Sequence, residues 1–359
     1  MSKYKIMFTI DTMGNGGAER VVSVLANQFV KEGYEVLITQ LYSHKCDYEL
    51  NDKIKLNCVS PKDASGVSRS IKTMYQLRKC IKIEKPDVII SFLANINIYT
   101  ILASRGLGVP VIASERNDPS REPAKKYLRA LRSICYLFVD CIVFQTKEAQ
   151  MYFNRRIQVK GRIIFNPIVD GLPEPCTVQR NKNIVTVCRL SEQKNLKLLI
   201  DSFELFNKKY NGYQLIIYGE GEQRKELENY IEELEAKDRI SLAGFVNDIH
   251  DRIKNSCMFI LSSDYEGMPN ALIEAMALGI SCISTDCPIG GPREIIRQYE
   301  NGVLVSVNGL NELLSAMSYL TDDLKRSDLI GKEAVLIRDK LSVDKIVIEW
   351  EKCIEMVTK

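Results

Sequence analysis

The chain has 359 residues, of which 45% are hydrophobic and 26% charged, and its formal net charge is +3. This length exceeds one ordinary hydrophobic core and predicts two domains. The longest apolar run is interrupted by Asp140, there is no signal-peptide pattern, and the 11 cysteines include no C-x-x-C pair. These features argue against transmembrane, disulfide-rich and zinc-ribbon classes and predict a soluble protein of the cytoplasm.

The charge is divided unequally along the chain. Residues 1–170 contain 26 Lys and Arg against 16 Asp and Glu, a net charge of +10, whereas residues 171–359 contain 23 against 30, a net charge of −7. A basic first half favours an anionic partner, either nucleic acid or a membrane surface, and solvated lysines are the alternative. The chain has only two histidines, His44 and His250, so a histidine-based metal site or a Ser-His-Asp triad is hard to build.

Short β-branched runs alternate with amphipathic helical segments from one end of the chain to the other. Uninterrupted apolar runs are typical of parallel strands buried on both faces, so the pattern predicts an α/β fold with two doubly wound parallel sheets. The first sheet is predicted from KIMFTI, EVLITQLY, DVIISF, PVIAS, CIVFQT and RIIFN, and the second from NIVTVCRL, YQLIIYGEG, ISLAGF, CMFILSS, ISCISTD and GVLVSV. The proline-containing stretch NPIVDGLPEPCTVQRNKN separates them as a linker.

The first strand leads into the glycine-rich sequence DTMGNGGAER. Gly14, Gly16 and Gly17 permit a tight turn, and the helix expected to begin near Ala18 offers backbone N–H groups to an anion. The dinucleotide pattern G-x-G-x-x-G fails at Glu19, and the second predicted strand ends without an acidic residue. The loop therefore disfavours NAD, and it indicates either an anion site or an ordinary strand–helix turn.

The second half carries further motifs at predicted strand ends. In VCRLSEQKN, Arg189 and Lys194 lie five positions apart and could converge on a diphosphate, although two surface cations would look the same. Gly219 follows the next predicted strand in a turn expected to face a ligand. Gly244 and Phe245 end the one after, where backbone groups could contact a flat base.

The stretch YEGMPNALIEAMALG places Glu266 in a loop and Glu274 about a turn and a half into a helix. Pro269 fits the first turn of that helix and Gly279 its C-terminal end. This arrangement favours binding of a sugar diphosphate over an acid–base pair. Glu266 would accept hydrogen bonds from sugar hydroxyls and Glu274 from ribose hydroxyls. The amides expected to meet the leaving phosphate are those of Gly267, Met268 and Asn270.

Taken together, GGAE, RLSEQKN, GEGEQRKELE, GF, EGMPNALIEAMALG and GGPREII resemble the family 4 retaining glycosyltransferases of the GT-B fold. The resemblance covers nearly the whole chain, and its most specific part is E-x7-E in this order with the Arg–Lys pair. The sequences SFLANINIY and SERND and the basic segment between Arg69 and Lys82 are most similar to bacterial members that extend lipid-linked oligosaccharides, including α-N-acetylgalactosaminyl transferases.

The resemblance implies two Rossmann-like domains facing a cleft. Residues 1–168 would form an acceptor domain, with a helix at 342–359 packing back on it, and residues 169–341 a nucleotide-sugar donor domain. Arg189 and Lys194 would neutralise the donor diphosphate, and the Gly16–Gly17 turn would meet the donor phosphates or the acceptor. The reaction would retain the anomeric configuration with no metal, no cofactor and no protein base, since a donor phosphate oxygen would take the acceptor proton.

The sequence departs from its relatives at two positions. Many carry a histidine where this chain has Arg116, and an always-charged guanidinium cannot act as a neutral imidazole does. Arg116 is therefore expected to contact sugar or acceptor phosphate. Cys188 stands where relatives often have glycine before the phosphate-binding arginine, with little consequence expected. The remaining positions expected near the acceptor are Asn95, Arg69, Lys72, Arg78 and Lys79.

Two segments of the first half combine cations with an apolar face. One carries Arg69, Lys72, Lys79 and Lys82, with Ile71, Met74, Leu77 and Ile81 offset from them. The other carries Lys125, Lys126, Arg129 and Arg132. Both are interpreted as helices that lie on an anionic membrane surface and grip a polyprenyl diphosphate, and ordinary amphipathic helices on a sheet are the alternative.

The function favoured by the sequence is transfer of an α-linked hexose or N-acetylhexosamine, with GalNAc, GlcNAc or Gal as the sugar, from a UDP-sugar to a polyprenyl-diphosphate-linked saccharide. The enzyme would lie on the cytoplasmic face of the inner membrane. A non-hydrolysing sugar-nucleotide epimerase is the first alternative, but it needs histidines for proton shuttling, and both histidines are expected outside the site. A nucleic-acid-binding protein is the second, and it is disfavoured because few aromatic residues lie among the cations.

Overall fold

Two units make up the chain, Met1–Val169 with Leu341–Lys359 and Asp170–Lys340. The sequence-based boundaries, after residues 168 and 341, each lie one residue from this division. The structure is a computed structural model and describes residues 3–14, 16–59, 66–176 and 179–359. Within these ranges, no helix combines the length and the apolar character needed to cross a bilayer.

The first unit is a seven-stranded parallel sheet in the order β3-β2-β1-β4-β5-β6-β7. The central strands are buried on both faces, as the uninterrupted apolar runs predicted. The strands are β1 Lys5–Ile10, β2 Glu35–Gln40, β3 Lys55–Cys58, β4 Val88–Phe92, β5 Val111–Ser114, β6 Cys141–Phe144 and β7 Gly161–Ile163, and the helices are α1 Gly17–Lys31, α2 Gly66–Glu84, α3 Ala94–Ser104, α4 Lys126–Tyr136, α5 Lys147–Met151 and α6 Arg155–Gln158.

One strand of this sheet, β3, was not predicted. It lies at the edge and pairs with β2 through the register Leu37↔Lys55 to Gln40↔Cys58. Its four residues are exposed or half-buried, so KLNC carries neither the apolar run of a buried strand nor a long alternation. Edge strands are short and polar because that limits pairing with other chains, and the same property hides them in a sequence.

The second unit is a six-stranded parallel sheet in the order β10-β9-β8-β11-β12-β13. Both sheets therefore have the doubly wound order 3-2-1-4-5-6, with β7 added to the first. The strands are β8 Asn181–Val187, β9 Gln214–Tyr218, β10 Ile240–Gly244, β11 Ser256–Leu261, β12 Ser281–Thr285 and β13 Val303–Val305, and the helices are α7 Leu196–Lys209, α8 Arg224–Glu233, α9 Ile249–Ile253, α10 Asn270–Ala277, α11 Gly291–Ile295, α12 Leu310–Asp322, α13 Leu324–Ala334 and α14 Ile337–Lys340.

The last helix, α15 Val343–Thr358, belongs to the first unit. It packs on α1, β4 and β5. Trp350, the only tryptophan, is fully buried, and its ring stacks on Phe92 with the centroids 5.7 Å apart. At the start of this return, the Ile168 N–H donates to the Leu341 carbonyl at 2.9 Å. The apolar face of α15 thus completes the core of the first sheet.

Candidate functional site

Two loops of the second unit meet where the strand order reverses. β8 lies next to β11. From β8 the chain continues to β9 on one side, and from β11 it continues to β12 on the other. Open α/β sheets bind ligands at such a reversal of strand order. Among the described residues, several hydrogen bonds join the loop after β8 to the loop after β11, and three of them are accepted by backbone carbonyls. Ser262 Oγ donates to the Lys194 carbonyl at 2.8 Å, Asp264 N to the Gln193 carbonyl at 2.8 Å, and Gln193 Nε2 to the Tyr265 carbonyl at 2.7 Å. The two motifs predicted from the sequence therefore form one surface.

An ion pair lies at the centre of this surface. Lys194 Nζ is bonded to Glu266 Oε1, and Ser263 Oγ donates to the same oxygen at 2.7 Å. Only 17% of the Lys194 side chain and 9% of the Glu266 side chain are exposed. Burial acts to lower the pKa of Lys194, but the Glu266 carboxylate outweighs it, so the pKa lies above its ordinary value. Lys194 is therefore a fixed positive charge.

Arg189 lies at the same strand end but has a different environment. Its side chain is exposed. It forms no ion pair or hydrogen bond with any part of the chain that the structure describes. An exposed guanidinium without a hydrogen-bond or ion-pair partner among the described residues is a donor fork for an anionic group.

The second carboxylate of the E-x7-E stretch has a partner that the sequence analysis missed. Glu274 lies on α10 and is buried, and its Oε2 is 2.9 Å from His250 Nε2 on α9. The expectation that both histidines lie outside the site is therefore wrong for His250. It was missed because DIHDRI precedes Glu274 by 24 residues, and only the packing of α9 on α10 brings the two together.

The helix between these carboxylates begins one residue later than predicted. Asn270 is the first residue of α10 and Pro269 is its N-cap, whereas the sequence placed Pro269 inside the first turn. The N-cap residue itself, Pro269, provides no side-chain cap. Gly267 and Met268 are buried directly before it. At the other end Gly279 has φ +69°, as a glycine after a helix requires.

The glycine loops around the site are required by chain packing. A Cβ at Gly219 would lie 1.8 Å from the Cys188 carbonyl oxygen, and one at Gly221 2.2 Å from that of Leu190. A Cβ at Gly291 in GGPREII would lie 1.6 Å from the Gly267 carbonyl oxygen. Gly219 and Gly221 therefore allow this turn to approach the backbone on both sides of Arg189 closely. The ligand-facing role of Gly219 stays a prediction, and the structure shows in addition that packing against Cys188 requires a glycine there.

The position predicted to contact a base is a turn after β10. Gly244 has φ +74°, and its carbonyl accepts from Gly219 N at 2.9 Å. The next side chain, Phe245, is 55% exposed, which is unusual for phenylalanine. A flat apolar ring is therefore available at this strand end for stacking.

In the first unit, α1 begins at Gly17 with Gly16 as its N-cap. Tyr48 Oη donates to the Gly16 carbonyl at 2.7 Å. The Glu19 carboxylate lies close to Gly16, since a Cβ built there would meet Glu19 Oε2 at 2.1 Å. This helix start thus already has a negative group beside it, which favours a hydroxyl-bearing ligand over a phosphate.

Arg116 follows β5 and is partly buried. Its guanidinium donates to Asn166 Oδ1 and, at 3.5 Å, to Ser114 Oγ, and it lies 4.9 Å from the centroid of the Phe92 ring. Burial lowers the pKa of Arg116 to about 9, so it remains charged near neutral pH. No carboxylate in the described ranges pairs with it. An arginine with neutral partners only is suited to an anionic ligand.

The two basic helices differ from their predicted form. Arg132, assigned to a solvated cationic face, is fully buried and paired with Glu115 at 3.3 Å. Together with Arg129 it donates to the carbonyls of Pro119, Arg121, Glu122, Pro123 and Ala124, so both arginines hold the loop that follows Arg116. Burial outweighs the favourable Arg132 charge and raises the pKa of Glu115. These two arginines stabilise the protein and do not face solvent as a patch.

On α2, Leu77 and Ile81 are buried, as the alternative of an amphipathic helix packed on the sheet expects, whereas Ile71 is 58% exposed and lies outside the core. Arg78 donates to the carbonyls of Ala103 and Arg105 at 2.8 and 2.7 Å and so binds the end of α3. Arg69 lies over the Tyr42 ring at 5.4 Å. Of the five positions expected near the acceptor besides Arg116, the exposed ones are Lys72, Lys79 and, on α3, Asn95.

The site of the second unit collects cations, carboxylates and a helix start at the end of a doubly wound sheet, which is the arrangement of a nucleotide-sugar transferase. Within the described residues no group of three or more His, Cys, Asp or Glu is placed to hold a metal ion. Two family models match the chain, "Glycosyltransferase Family 4" over residues 15–170 and "Glycosyl transferases group 1" over residues 177–335. The chain belongs to these glycosyltransferases.

Individual relatives agree with this assignment. The chain is 28% identical to the α-1,4-N-acetyl-D-galactosaminyltransferase of Campylobacter jejuni that acts on GalNAc-α-(1→4)-GalNAc-α-(1→3)-diNAcBac-PP-undecaprenol, covering 98% of this chain and 99% of that one. It is 27% identical to an Escherichia coli UDP-Gal:α-D-GlcNAc-diphosphoundecaprenol α-1,3-galactosyltransferase over 71% of each. The structure superposes on Anabaena HepE in complex with UDP and glucose with a TM-score of 0.81 and 17% identity over 98% and 99% of the two chains. The fold is therefore GT-B, and the chain is a glycosyltransferase.

Proposed function

We propose that the enzyme transfers an α-linked hexose or N-acetylhexosamine from a UDP-sugar to a polyprenyl-diphosphate-linked saccharide, with retention and without a metal. The observation that carries the proposal is the cluster of Arg189, Lys194, Glu266 and Glu274 at the β8–β11 reversal. UDP and GalNAc or Gal are chosen because the named relatives use or act on these sugars.

The donor diphosphate is assigned to the two cations of this cluster. Arg189 is exposed and uncommitted, and Lys194 is charged and held in place by Glu266. The start of α10 adds its dipole to theirs. Preorganised positive charge of this kind stabilises a departing diphosphate, and each such donor contributes roughly 100-fold or more to the rate. This set performs the neutralisation for which other transferases recruit a divalent cation.

The sugar nucleotide is oriented by the carboxylates. Glu266, fixed by Lys194 and Ser263, is assigned to hydroxyls of the transferred sugar, and Glu274, fixed by His250, to the ribose. The exposed Phe245 ring and the Gly244 turn are assigned to the base. A charged acceptor of hydrogen bonds discriminates strongly between ligands with and without the matching hydroxyl, because loss of the hydroxyl leaves a buried charge unpaired.

The proposed reaction keeps both partners on one face of the sugar. The acceptor hydroxyl oxygen bonds to the anomeric carbon while the bond from that carbon to the β-phosphate oxygen breaks, and its electron pair leaves with UDP. A phosphate oxygen of the leaving group takes the hydroxyl proton. Glu266 is not assigned as the base, because Lys194 and Ser263 already donate hydrogen bonds to its Oε1.

The first unit is assigned to the acceptor. Arg116 is a partly buried cation with neutral partners only, which suits a diphosphate or an anionic sugar. The exposed side of α2 presents Ile71 and Tyr75 beside Lys72 and Lys79. Apolar side chains interleaved with lysines are typical of helices that lie on anionic lipid. We therefore place the enzyme on the cytoplasmic face of the inner membrane, where lipid-linked saccharides are available.

The testing experiment measures UDP release from UDP-GalNAc, UDP-GlcNAc and UDP-Gal with a synthetic polyprenyl-diphosphate disaccharide, with and without EDTA. One donor should support turnover, EDTA should leave the rate unchanged, and NMR of the product should show an α linkage. Arg116→Ala should raise the acceptor KM about tenfold or more and leave the dissociation constant of UDP unchanged, whereas Arg116→Lys should be intermediate. A β-linked product, or activity that EDTA abolishes, would contradict the proposal.

A further inference from the structure

The pair formed by His250 and Glu274 has no counterpart in the motifs that define the family in this sequence. Glu274 lies between the buried residues Ile273 and Ala275 of α10, and only 8% of its side chain is exposed. A carboxylate at such a position needs hydrogen-bond donors to remain ionised, since desolvation favours its neutral form. His250 Nε2, at 2.9 Å from Oε2, is one of those donors.

The histidine is itself held by its helix. The neighbouring side chains Ile249 and Ile253 are buried, and they fix α9 against the unit. Arg252 Nε donates to the carboxylate of the N-cap Asp248 at 2.7 Å, which closes the exposed side of this short helix. The two buried isoleucines thus anchor α9 in the unit, where it contacts α10 and presents His250 to Glu274.

An ionised carboxylate can only accept, so the ring nitrogen that faces Glu274 carries the proton whether the imidazole is neutral or charged. The hydrogen bond then fixes the rotation of the carboxylate about its last torsion, which is otherwise broad. The two hydroxyl oxygens of a ribose are held cis on the ring, so a carboxylate can accept hydrogen bonds from both only over a limited range of orientations. A donor behind the carboxylate supplies that orientation before the ligand arrives.

We infer that His250 is a positioning residue that orients Glu274 toward the ribose hydroxyls and so sets the preference of the site for ribonucleotide over deoxyribonucleotide donors. The inference rests on the proposed function, in which Glu274 binds the ribose. His250 acts on donor binding in the ground state and the transition state alike. Its loss should therefore raise KM for the donor and leave kcat nearly unchanged.

The experiment compares binding of UDP and 2′-deoxy-UDP by calorimetry to the wild type, His250→Ala, His250→Gln and Asp251→Ala. In the wild type, loss of the hydroxyl should weaken binding about tenfold or more. In His250→Ala, UDP should bind about tenfold more weakly and the difference between the two ligands should shrink to about twofold. His250→Gln keeps a side-chain N–H donor and should recover most of the preference for the ribonucleotide.

Asp251→Ala is the matched control, because Asp251 lies on the same helix and its one ion pair among the described residues is with Lys254 on the exposed side. It should bind both ligands as the wild type does. Equal weakening of UDP and 2′-deoxy-UDP in His250→Ala, or an unchanged preference, would overturn the inference and leave His250 as a packing residue. If the wild type binds neither ligand, the proposed function itself fails, which is a different result from either of these.

Discussion

Lys194 Nζ donates a hydrogen bond to Glu266 Oε1, so the cation assigned to the diphosphate and the carboxylate assigned to the sugar are in contact with each other. Both side chains are largely buried. A single substitution in a buried pair of this kind therefore changes activity and stability together. Removing one member abolishes its contact with substrate, and it also leaves the other as an uncompensated buried charge.

Double substitution separates the two effects. Lys194→Met leaves Glu266 unpaired and should lower the free energy of unfolding by about 3 kcal/mol, whereas Lys194→Met with Glu266→Gln should recover most of that loss. Both proteins should lose at least about 100-fold in kcat. Urea unfolding gives the stabilities and UDP release the rates. The exposed pair of Lys197 and Glu226 is the control, and its removal should leave the unfolding midpoint and the rate unchanged. Turnover by the stable double variant would refute the assignment.

Arg189 should separate activity from stability more cleanly. Its side chain is exposed and makes no contact with the described residues that substitution would break. Arg189→Gln should therefore unfold within about 0.5 kcal/mol of the wild type and lose about 100-fold in kcat, because only the diphosphate uses this guanidinium. Arg189→Lys keeps the charge but not the fork and should lie between the two. A large loss of stability in Arg189→Gln would indicate a structural role instead.

The order of buried strands could be predicted from the sequence because each is an uninterrupted apolar run bounded by a polar loop, and parallel sheets require such strands. The site motifs could be predicted because they follow those strands, and strand ends meet at one edge of a sheet. That reasoning placed Lys194 and Glu266 in one site but did not predict their ion pair. Partner choice depends on side-chain distances of a few ångströms, which spacing does not encode.

The failures have related causes. His250 lies outside every motif and reaches Glu274 through helix packing. Arg132 lies on a helix with two other cations, Lys126 and Arg129, and periodicity groups it with them, but in the structure it is buried and paired with Glu115. An arginine can enter a core only if a carboxylate compensates for its desolvation. The compensating residue, Glu115, is 17 positions away in the loop after β5, so no local sequence pattern indicates the pair.

The loop after β12 should be as sensitive as the charged residues. A Cβ at Gly291 would lie 1.6 Å from the Gly267 carbonyl oxygen, so the backbone itself would have to shift. Gly291→Ala should displace Gly267 and the start of α10, weaken UDP binding about tenfold or more, and lower the melting temperature. Gly14→Ala is the control, since a Cβ there meets nothing closer than 3.6 Å and should leave the melting temperature unchanged. Normal UDP binding by Gly291→Ala would show that this contact does not position the phosphate loop.

The exposed face of α2 predicts binding to anionic vesicles. Tyr75 is 71% exposed on the same side as Ile71, Lys72 and Lys79. Combined substitution to Ser at the two apolar positions and to Gln at the two lysines should abolish cosedimentation with vesicles containing phosphatidylglycerol. Wild-type binding should weaken with salt, because part of the attraction is electrostatic.

The control for this surface lies on α13, which also exposes apolar residues beside a lysine. Leu324→Ser, Lys325→Gln, Leu329→Ser and Lys332→Gln together remove two exposed apolar side chains and two lysine charges from the second unit. This variant should bind vesicles as the wild type does. Equal loss from both variants would mean that general surface stickiness, and not α2, accounts for the binding.

The cluster around Glu84 should make the stability of the first unit depend on pH. Lys55 and Lys5 donate to the Glu84 carboxylate at 2.5 and 3.3 Å. The Lys55 hydrogen bond lowers the pKa of Glu84 despite its partial burial. A carboxyl whose pKa is lower in the folded than in the unfolded state stabilises the fold above the unfolded pKa, near 4.5, and this contribution disappears as the pH falls through the folded value.

Glu84→Gln should therefore melt below the wild type at pH 7, and the gap between the two melting temperatures should narrow as the pH falls below 4.5 toward the lowered pKa of Glu84. Calorimetric scans between pH 7 and pH 3.5 measure the difference. Glu49→Gln is the matched control, because Glu49 is an exposed carboxylate that forms no ion pair within the described ranges. Its melting temperature should follow that of the wild type throughout. A constant gap between Glu84→Gln and the wild type across this pH range would show that Glu84 contributes through packing, since packing does not titrate, and that its charge adds little to the fold.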